Sequence, residues 1–183
     1  MSKFVVFMGS PRKKGNSYNI ANQLIESLKA EGAEIVVYEL NQPGIKGCIG
    51  CGACRGRSDC IQKDPLSTMY QDVRDSDGVV FVSPIYMNGI TGQAKICLDR
   101  MYPFLGMNLQ PRLPDKKALC VITMGERDEE KFYQAIGQVM ECFKVFGWEQ
   151  FEPIICSGTD EFGYKLPDIQ DKIKAAVSDL LGH

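Results

Sequence analysis

The chain alternates short apolar runs with stretches in which apolar residues recur every three or four positions. Phe4–Met8 is the first run, and its Phe and Val residues favour a buried strand. Ile20, Ala21, Leu24 and Leu28 follow at the spacing of one amphipathic helix face. Glu34–Glu39 predicts a second strand and Gly78–Ser83 a third, with Leu66, Met69, Tyr70 and Val73 marking a helix between them. A further helix is predicted from Thr91 to about Tyr102, then a fourth strand over Ala118–Thr123. Phe132, Ile136, Val139, Met140 and Phe143 line another helix face. Phe151–Ile155 predicts the fifth strand, and Ile169, Ile173, Val177 and Leu180 a last helix. No internal repeat or low-complexity segment interrupts this pattern.

Five strands alternating with helices imply an α/β fold: a parallel sheet covered on both faces, in three α/β/α layers. Right-handed crossovers put all loops that leave strand C-termini on one edge, and ligands bind there where the strand order reverses. In the doubly wound order 2-1-3-4-5 the reversal lies between strands one and three. That order brings the Gly9–Ser17 and Pro84–Gly89 loops together, with Thr123–Gly125 beside them. The loop from Gln42 to Asp64 follows strand two on the same edge. It is longer than a plain connection needs, which marks it as functional.

A length of 183 residues suits one domain, 1–183, with the 42–64 stretch as an insertion, and 44% hydrophobic residues are enough to fill a core. A net charge of −2 offers no surface for nucleic acid and no polybasic membrane patch. No apolar run approaches the ~20 residues that span a bilayer. Met-Ser-Lys-Phe leads straight into a core strand, which predicts no secretory leader and a cytoplasmic protein. In that reducing setting, clustered cysteines among the chain's eight mean metal or redox chemistry rather than structural disulfides.

The Gly9–Ser17 stretch, Gly-Ser-Pro-Arg-Lys-Lys-Gly-Asn-Ser, joins a buried strand to a helix N-terminus. Unpaired N–H groups and the positive end of the helix dipole make such a junction a phosphate site. Gly9 and Gly15 allow close approach, Ser10 and Ser17 offer hydroxyls, Asn16 is placed to cap the helix, and Arg12 adds a fixed charge. A Walker loop is excluded, because five residues separate Gly9 from Gly15 and Asn16 stands where lysine is required. The dinucleotide fingerprint Gly-x-Gly-x-x-Gly fails at Pro11.

Gly9-Ser-Pro-Arg12 followed by Gly15-Asn-Ser17, and Ser83-Pro-Ile-Tyr-Met-Asn-Gly89 followed by Lys95 and Asp99-Arg100, resemble the flavodoxin-like NAD(P)H-dependent FMN reductase superfamily. More narrowly, the chain resembles the iron–sulfur flavoproteins within it. The resemblance implies a flavodoxin-like fold and an FMN phosphate held by Ser10, Arg12, Asn16 and Ser17. It also implies an isoalloxazine ring along Pro84, Ile85, Tyr86, Met87, Asn88 and Gly89, with Thr123 and Gly125 closing the far side. Packing of Tyr86 and Met87 in the core is the alternative for that pair. An electron-shuttle flavodoxin is a poorer match, because the phosphate loop carries Arg12, Lys13 and Lys14.

Cys48, Cys51, Cys54 and Cys60, spaced x2, x2 and x5, are compact enough to converge on a [4Fe–4S] cluster. Zinc is a rival, although all-cysteine zinc sites usually separate their two Cys-x2-Cys pairs by ~12 residues or more. Thiol chemistry without a metal is the other rival. Cys97, Cys120, Cys142 and Cys156 fall in or beside regular elements and are expected to pack as small hydrophobes. His183, the only histidine, leaves no His-based triad or His-rich metal site. Trp148 is expected in the core. Lys13 and Lys14 face solvent or meet a nicotinamide 2′-phosphate. Tyr102-Pro103-Phe104 and Phe162-Gly163-Tyr164 cover a flavin edge, form a subunit contact or pack inside.

These readings converge on an FMN-dependent oxidoreductase that moves electrons between a donor, NAD(P)H or a reduced carrier, and a small-molecule or protein acceptor, through a cluster if one is held. A cluster-free NAD(P)H-dependent reductase of quinones or flavins, and a flavin-binding redox sensor switched by the cysteine loop, are the alternatives. A homodimer or homotetramer is expected. Flavin carries the chemistry, so no side chain is assigned a catalytic role.

Overall fold

The structure, a computed structural model, describes residues 1–160 and 164–182. Strands β1 (Lys3–Met8), β2 (Glu34–Glu39), β3 (Gly78–Tyr86) and β5 (Lys117–Thr123) pair in parallel in the order β2-β1-β3-β5. The fifth position is shared by β6 (Glu149–Gln150) and β7 (Ile154–Cys156), both parallel to β5. The expected 2-1-3-4-5 order of sheet positions is therefore present, within a sheet of seven strands. The added strand β4 (Gly89–Ile90) folds back antiparallel on the end of β3. The single fifth strand expected over Phe151–Ile155 is instead two pieces. Phe151 still donates its N–H to Ala118 O at 3.2 Å, but Pro153 has no N–H, and pairing resumes only at Ile154.

Alternation along the central strands explains why their runs are apolar on both sides. Phe4, Val6, Val80, Val82, Leu119 and Val121 pack with helices α1 (Asn16–Ala30) and α5 (Gln170–Leu181). Val5, Phe7, Val79, Phe81, Ala118, Cys120 and Ile122 face α2 (Met69–Asp75), α3 (Gly92–Arg100) and α4 (Tyr133–Val145). Trp148 sits in this second cluster as expected, stacked on Phe143 at 5.6 Å and donating its Nε1–H to Leu113 O at 2.8 Å. Phe104 lies in the same aromatic group, so core packing accounts for it. Cys97, Cys120 and Cys156 are buried as expected, and burial pushes the Cys120 thiol up to about 12. Phe162, Gly163 and His183 lie outside the described residues.

The helix expected from Thr91 to about Tyr102 runs from Gly92 to Arg100, and Thr91 caps it. The Thr91 hydroxyl accepts from Ala94 N–H at 3.2 Å and donates to Gly9 O at 2.7 Å. One side chain thus starts α3 and fixes the first residue of the loop after β1. Among the described residues no helix is long and apolar enough to cross a membrane.

Candidate functional site

The loop after β1 is built on a close approach. Gly9 donates its N–H to Val82 O at 2.8 Å, and a Cβ there would stand 2.7 Å from that oxygen and 2.8 Å from Ala94 Cβ. Only glycine fits. Ser10 is buried and its Oγ accepts Arg12 N–H at 3.2 Å, while Gly15 N–H closes a turn on Arg12 O at 2.9 Å. Helix α1 then starts with Gly15 as its cap residue and no side chain bonded to its end. Asn16, expected as the cap, is instead the first helical residue. The first closing bond is Asn19 N–H to Gly15 O at 3.1 Å, so the N–H groups of Asn16, Ser17 and Tyr18 point into the loop without intrahelical acceptors. An anion is their natural partner.

Two contacts tie this loop to the neighbouring strand ends. Ser17 Oγ lies 2.7 Å from Thr123 Oγ1, both residues buried. Arg12 donates from Nε to the Tyr86 hydroxyl at 3.3 Å, and its guanidinium stands 5.9 Å from the centre of that ring. The Tyr86 hydroxyl contact is the first cause of the raised Arg12 pKa, so the guanidinium keeps its charge.

Tyr86 ends β3, where Ile85 pairs with Ile90 and Tyr86 with Gly89 across a two-residue turn. Both turn residues have positive φ, 47° at Met87 and 65° at Asn88, the geometry of a type I′ hairpin. Asn tolerates that region; Met does not favour it, and it holds Met87 out in solvent at 98% exposure.

Ser10, Arg12, Asn16 and Ser17 share one cleft of about 530 Å³ with Pro84, Ile85, Tyr86, Thr123 and Gly125. Met87, Asn88 and Gly89, expected along the ring, form the tip and return of the hairpin and do not line it. Lys14, Met124, Thr159 and Asp160 line it too, Met124 from within the Thr123–Gly125 stretch expected there. The sequence leaves Lys14 between solvent and a nicotinamide 2′-phosphate and carries no signal for Thr159 and Asp160, which follow β7 on the same edge as the other strand-end loops. The donor set matches a phosphate monoester, and the flanking Ile85 and Tyr86 match a flat aromatic ring. The volume suits a mononucleotide-sized ligand.

The cysteine loop leaves the same edge from β2. Its base is closed by Lys46 N–H on Asp64 Oδ2 at 2.9 Å and Gln62 Nε2 on Gly47 O at 2.8 Å. Asp64 pairs with Arg100 at 2.6 and 3.2 Å, the two side chains being 0% and 1% exposed. Arg100 also donates to Lys46 O at 2.8 Å. Arg112 fastens the far end. Its guanidinium donates to the carbonyls of Pro103 (2.8 Å), Cys54 (3.1 Å), Arg55 (2.8 Å) and Arg57, holding the turn Ala53–Gly56. No sequence signal marks Arg112.

Cys48, Cys51, Cys54 and Cys60 are free thiols, the first two exposed and the others half-buried. Burial, then the neighbouring thiols, push the Cys54 thiol up. Among the described residues no three His, Cys, Asp or Glu side chains gather closely enough for a single metal ion. Arg112 fixes the Cys54 turn by its backbone, whereas Cys48 and Cys51 stay at the surface around Gly50 and Gly52, both at positive φ.

The sequence pattern of the NADPH-dependent FMN reductase family matches residues 2–141. The chain belongs to that family. An iron-sulfur flavoprotein of Archaeoglobus fulgidus is 34% identical over 102 residues, covering 56% of this chain and 46% of that protein. One of Methanosarcina thermophila is 29% identical over 136 residues, covering 73% and 70%. The match spans about half the length of the first of these relatives. In fold, an NAD(P)H:quinone oxidoreductase of Methanothermobacter marburgensis superposes at TM-score 0.75 with 12% identity, covering 100% of this chain and 99% of that one. An FMN-dependent NADH-azoreductase of Bacillus anthracis, solved with FMN, gives 0.71 with 14% identity and coverages of 98% and 99%. These FMN reductase-like folds agree with the flavodoxin-like order of the sheet.

Proposed function

We propose that the chain is an FMN-dependent oxidoreductase that passes electrons from NAD(P)H or a reduced carrier to a small-molecule or protein acceptor. The observation that carries this is the cleft in which an uncapped helix N-terminus, Ser10, Ser17 and Arg12 face Tyr86 and Ile85. FMN, when bound, supplies transfer of electrons in pairs or singly. The N–H groups of Asn16–Tyr18 and the Arg12 guanidinium hold the phosphate. The Ser17–Thr123 contact fixes the loop beneath it, and Pro84, Ile85 and Tyr86 flank the ring. Purified protein should carry flavin absorbance that NADPH bleaches under anaerobic conditions. A protein that binds no FMN overturns the reading; one that binds FMN and reacts only with a reduced carrier assigns the donor.

Tyr86→Ala tests the ring position. Tyr86 is 37% exposed, so its loss should change stability by less than about 1 kcal/mol while altering flavin absorbance and fluorescence quenching. An unchanged flavin with a large drop in Tm identifies Tyr86 as a packing residue instead.

The x2-x2-x5 spacing and the similarity to proteins named iron-sulfur flavoproteins support a [4Fe–4S] cluster on Cys48, Cys51, Cys54 and Cys60. The exposure of Cys48 and Cys51 as free thiols favours a second reading, a cluster-free reductase with a thiol loop. Anaerobic reconstitution decides between them. About four iron and four sulfide per chain, lost in Cys51→Ser with FMN retained, is the cluster result. Stoichiometric zinc, or no metal, overturns it.

A further inference from the structure

The cleft that offers an anion site also holds a carboxylate. The segment after β7 docks on the end of β5 through Gly158 N–H to Glu126 O at 2.8 Å and Thr159 N–H to Met124 O at 3.0 Å. This delivers Asp160 onto the bare face of Gly125: a Cβ on that glycine would lie 2.2 Å from Asp160 Oδ2 and 2.7 Å from its Cγ. The backbone of Gly125 is therefore a seat for the carboxylate, and glycine keeps the seat open. Asp160 is exposed to the cleft, and among the described residues no donor is bonded to it.

Its place along the cleft follows from the strands. Thr123 is held to Ser17 beside the phosphate loop and pairs with Pro84. Gly125 lies two residues further on, about 7 Å at the rise of an extended chain, and Tyr86 lies two residues beyond Pro84. Asp160 thus stands at the level of Tyr86. Of the cleft's cations, Arg12 bonds to Tyr86 and has its pKa raised in part by the Asp160 charge, so that with FMN bound Arg12 and Lys14 together face a phosphate dianion and the Asp160 carboxylate, one negative charge in excess.

We propose that Asp160 is the residue that sets the reduction potential of the flavin in this cleft, by placing a carboxylate without a hydrogen-bonded partner beside the ring. The inference rests on the FMN reading above. Oxidised flavin takes up two electrons and one proton to give a ring with one added negative charge. Asp160 opposes that added charge, so the site binds the oxidised form in preference to the reduced one.

The test measures FMN dissociation constants for the oxidised and the dithionite-reduced forms, anaerobically at pH 8, in the full chain. Asp160→Asn should tighten the reduced form about tenfold relative to the oxidised one, which for a two-electron couple raises the midpoint potential by about 30 mV. Gly125→Ala, which leaves the carboxylate in the chain but fills its seat, should move the ratio in the same direction. An unchanged ratio in Asp160→Asn overturns the proposal. So does an equal tightening of both forms of FMN with none for riboflavin, because that result places the charge beside the phosphate. Failure of the wild type to bind FMN fails the functional reading instead, so the two failures are distinct.

Discussion

Asp64→Ala should lower the free energy of unfolding by about 3–5 kcal/mol, the usual cost of leaving a buried charge without its partner. Arg100 is 1% exposed, and its two charged contacts are both to Asp64, at 2.6 and 3.2 Å. Without that carboxylate the guanidinium keeps, among the described residues, Lys46 O and the Tyr70 hydroxyl, both neutral. Asp64 also accepts from Lys46 N–H and Leu66 N–H, so the base of the cysteine loop opens with it. The double variant Asp64→Leu/Arg100→Met should recover most of the loss, because it removes both charges together. The wild type should also show an acid-dependent component that Asp64→Ala lacks. Burial pushes the Asp64 carboxyl up, but the Arg100 bond and the N–H bonds outweigh it and hold the group below the usual carboxylate range. A depressed value contributes stability above the unfolded carboxyl's pKa and loses it as pH falls through the folded one. Urea unfolding from pH 7 downward reads both effects. A loss under 1 kcal/mol at pH 7 would show that water enters this pair.

Arg12→Ala should weaken FMN binding by about 1.5–3 kcal/mol, or roughly 10- to 150-fold, the scale of one lost hydrogen bond to a charged group. The guanidinium is exposed and among the described residues its hydrogen bond is to the Tyr86 hydroxyl, so the fold should be unaffected. Riboflavin, which has no phosphate, should bind wild type and variant alike. Tyr86→Phe removes the Arg12 contact but not its charge, and should leave FMN affinity within about threefold. Calorimetric titration of the apoprotein with both flavins separates these outcomes. Equal losses for FMN and riboflavin would move Arg12 from the phosphate to the ring.

The apolar runs at Phe4–Met8 and Ala118–Thr123, and the helical spacing of Ile20, Leu24 and Leu28, were enough to define strands, helices and their parallel order. Period and backbone preference are local, and a continuous apolar strand leaves few topologies that cover both its faces. For the same reason Gly9, Ser10, Arg12 and Ser17 were legible: a strand, a glycine turn and a helix start lie within a few residues of one another. The boundary of the fifth strand failed locally too, because Pro153 cuts the ladder inside an otherwise apolar run. What the sequence could not specify is every contact made across the chain. Asp64 meets Arg100 across 36 positions, Arg112 meets the cysteine turn across more than 50, and Asp160 reaches Gly125 only because β7 lies beside β5. The exposure of Cys48 and Cys51 belongs to the same class, since spacing limits how close thiols can come but not where the loop places them. Such contacts depend on how packed elements bring distant loops together, which only the assembled sheet edge decides.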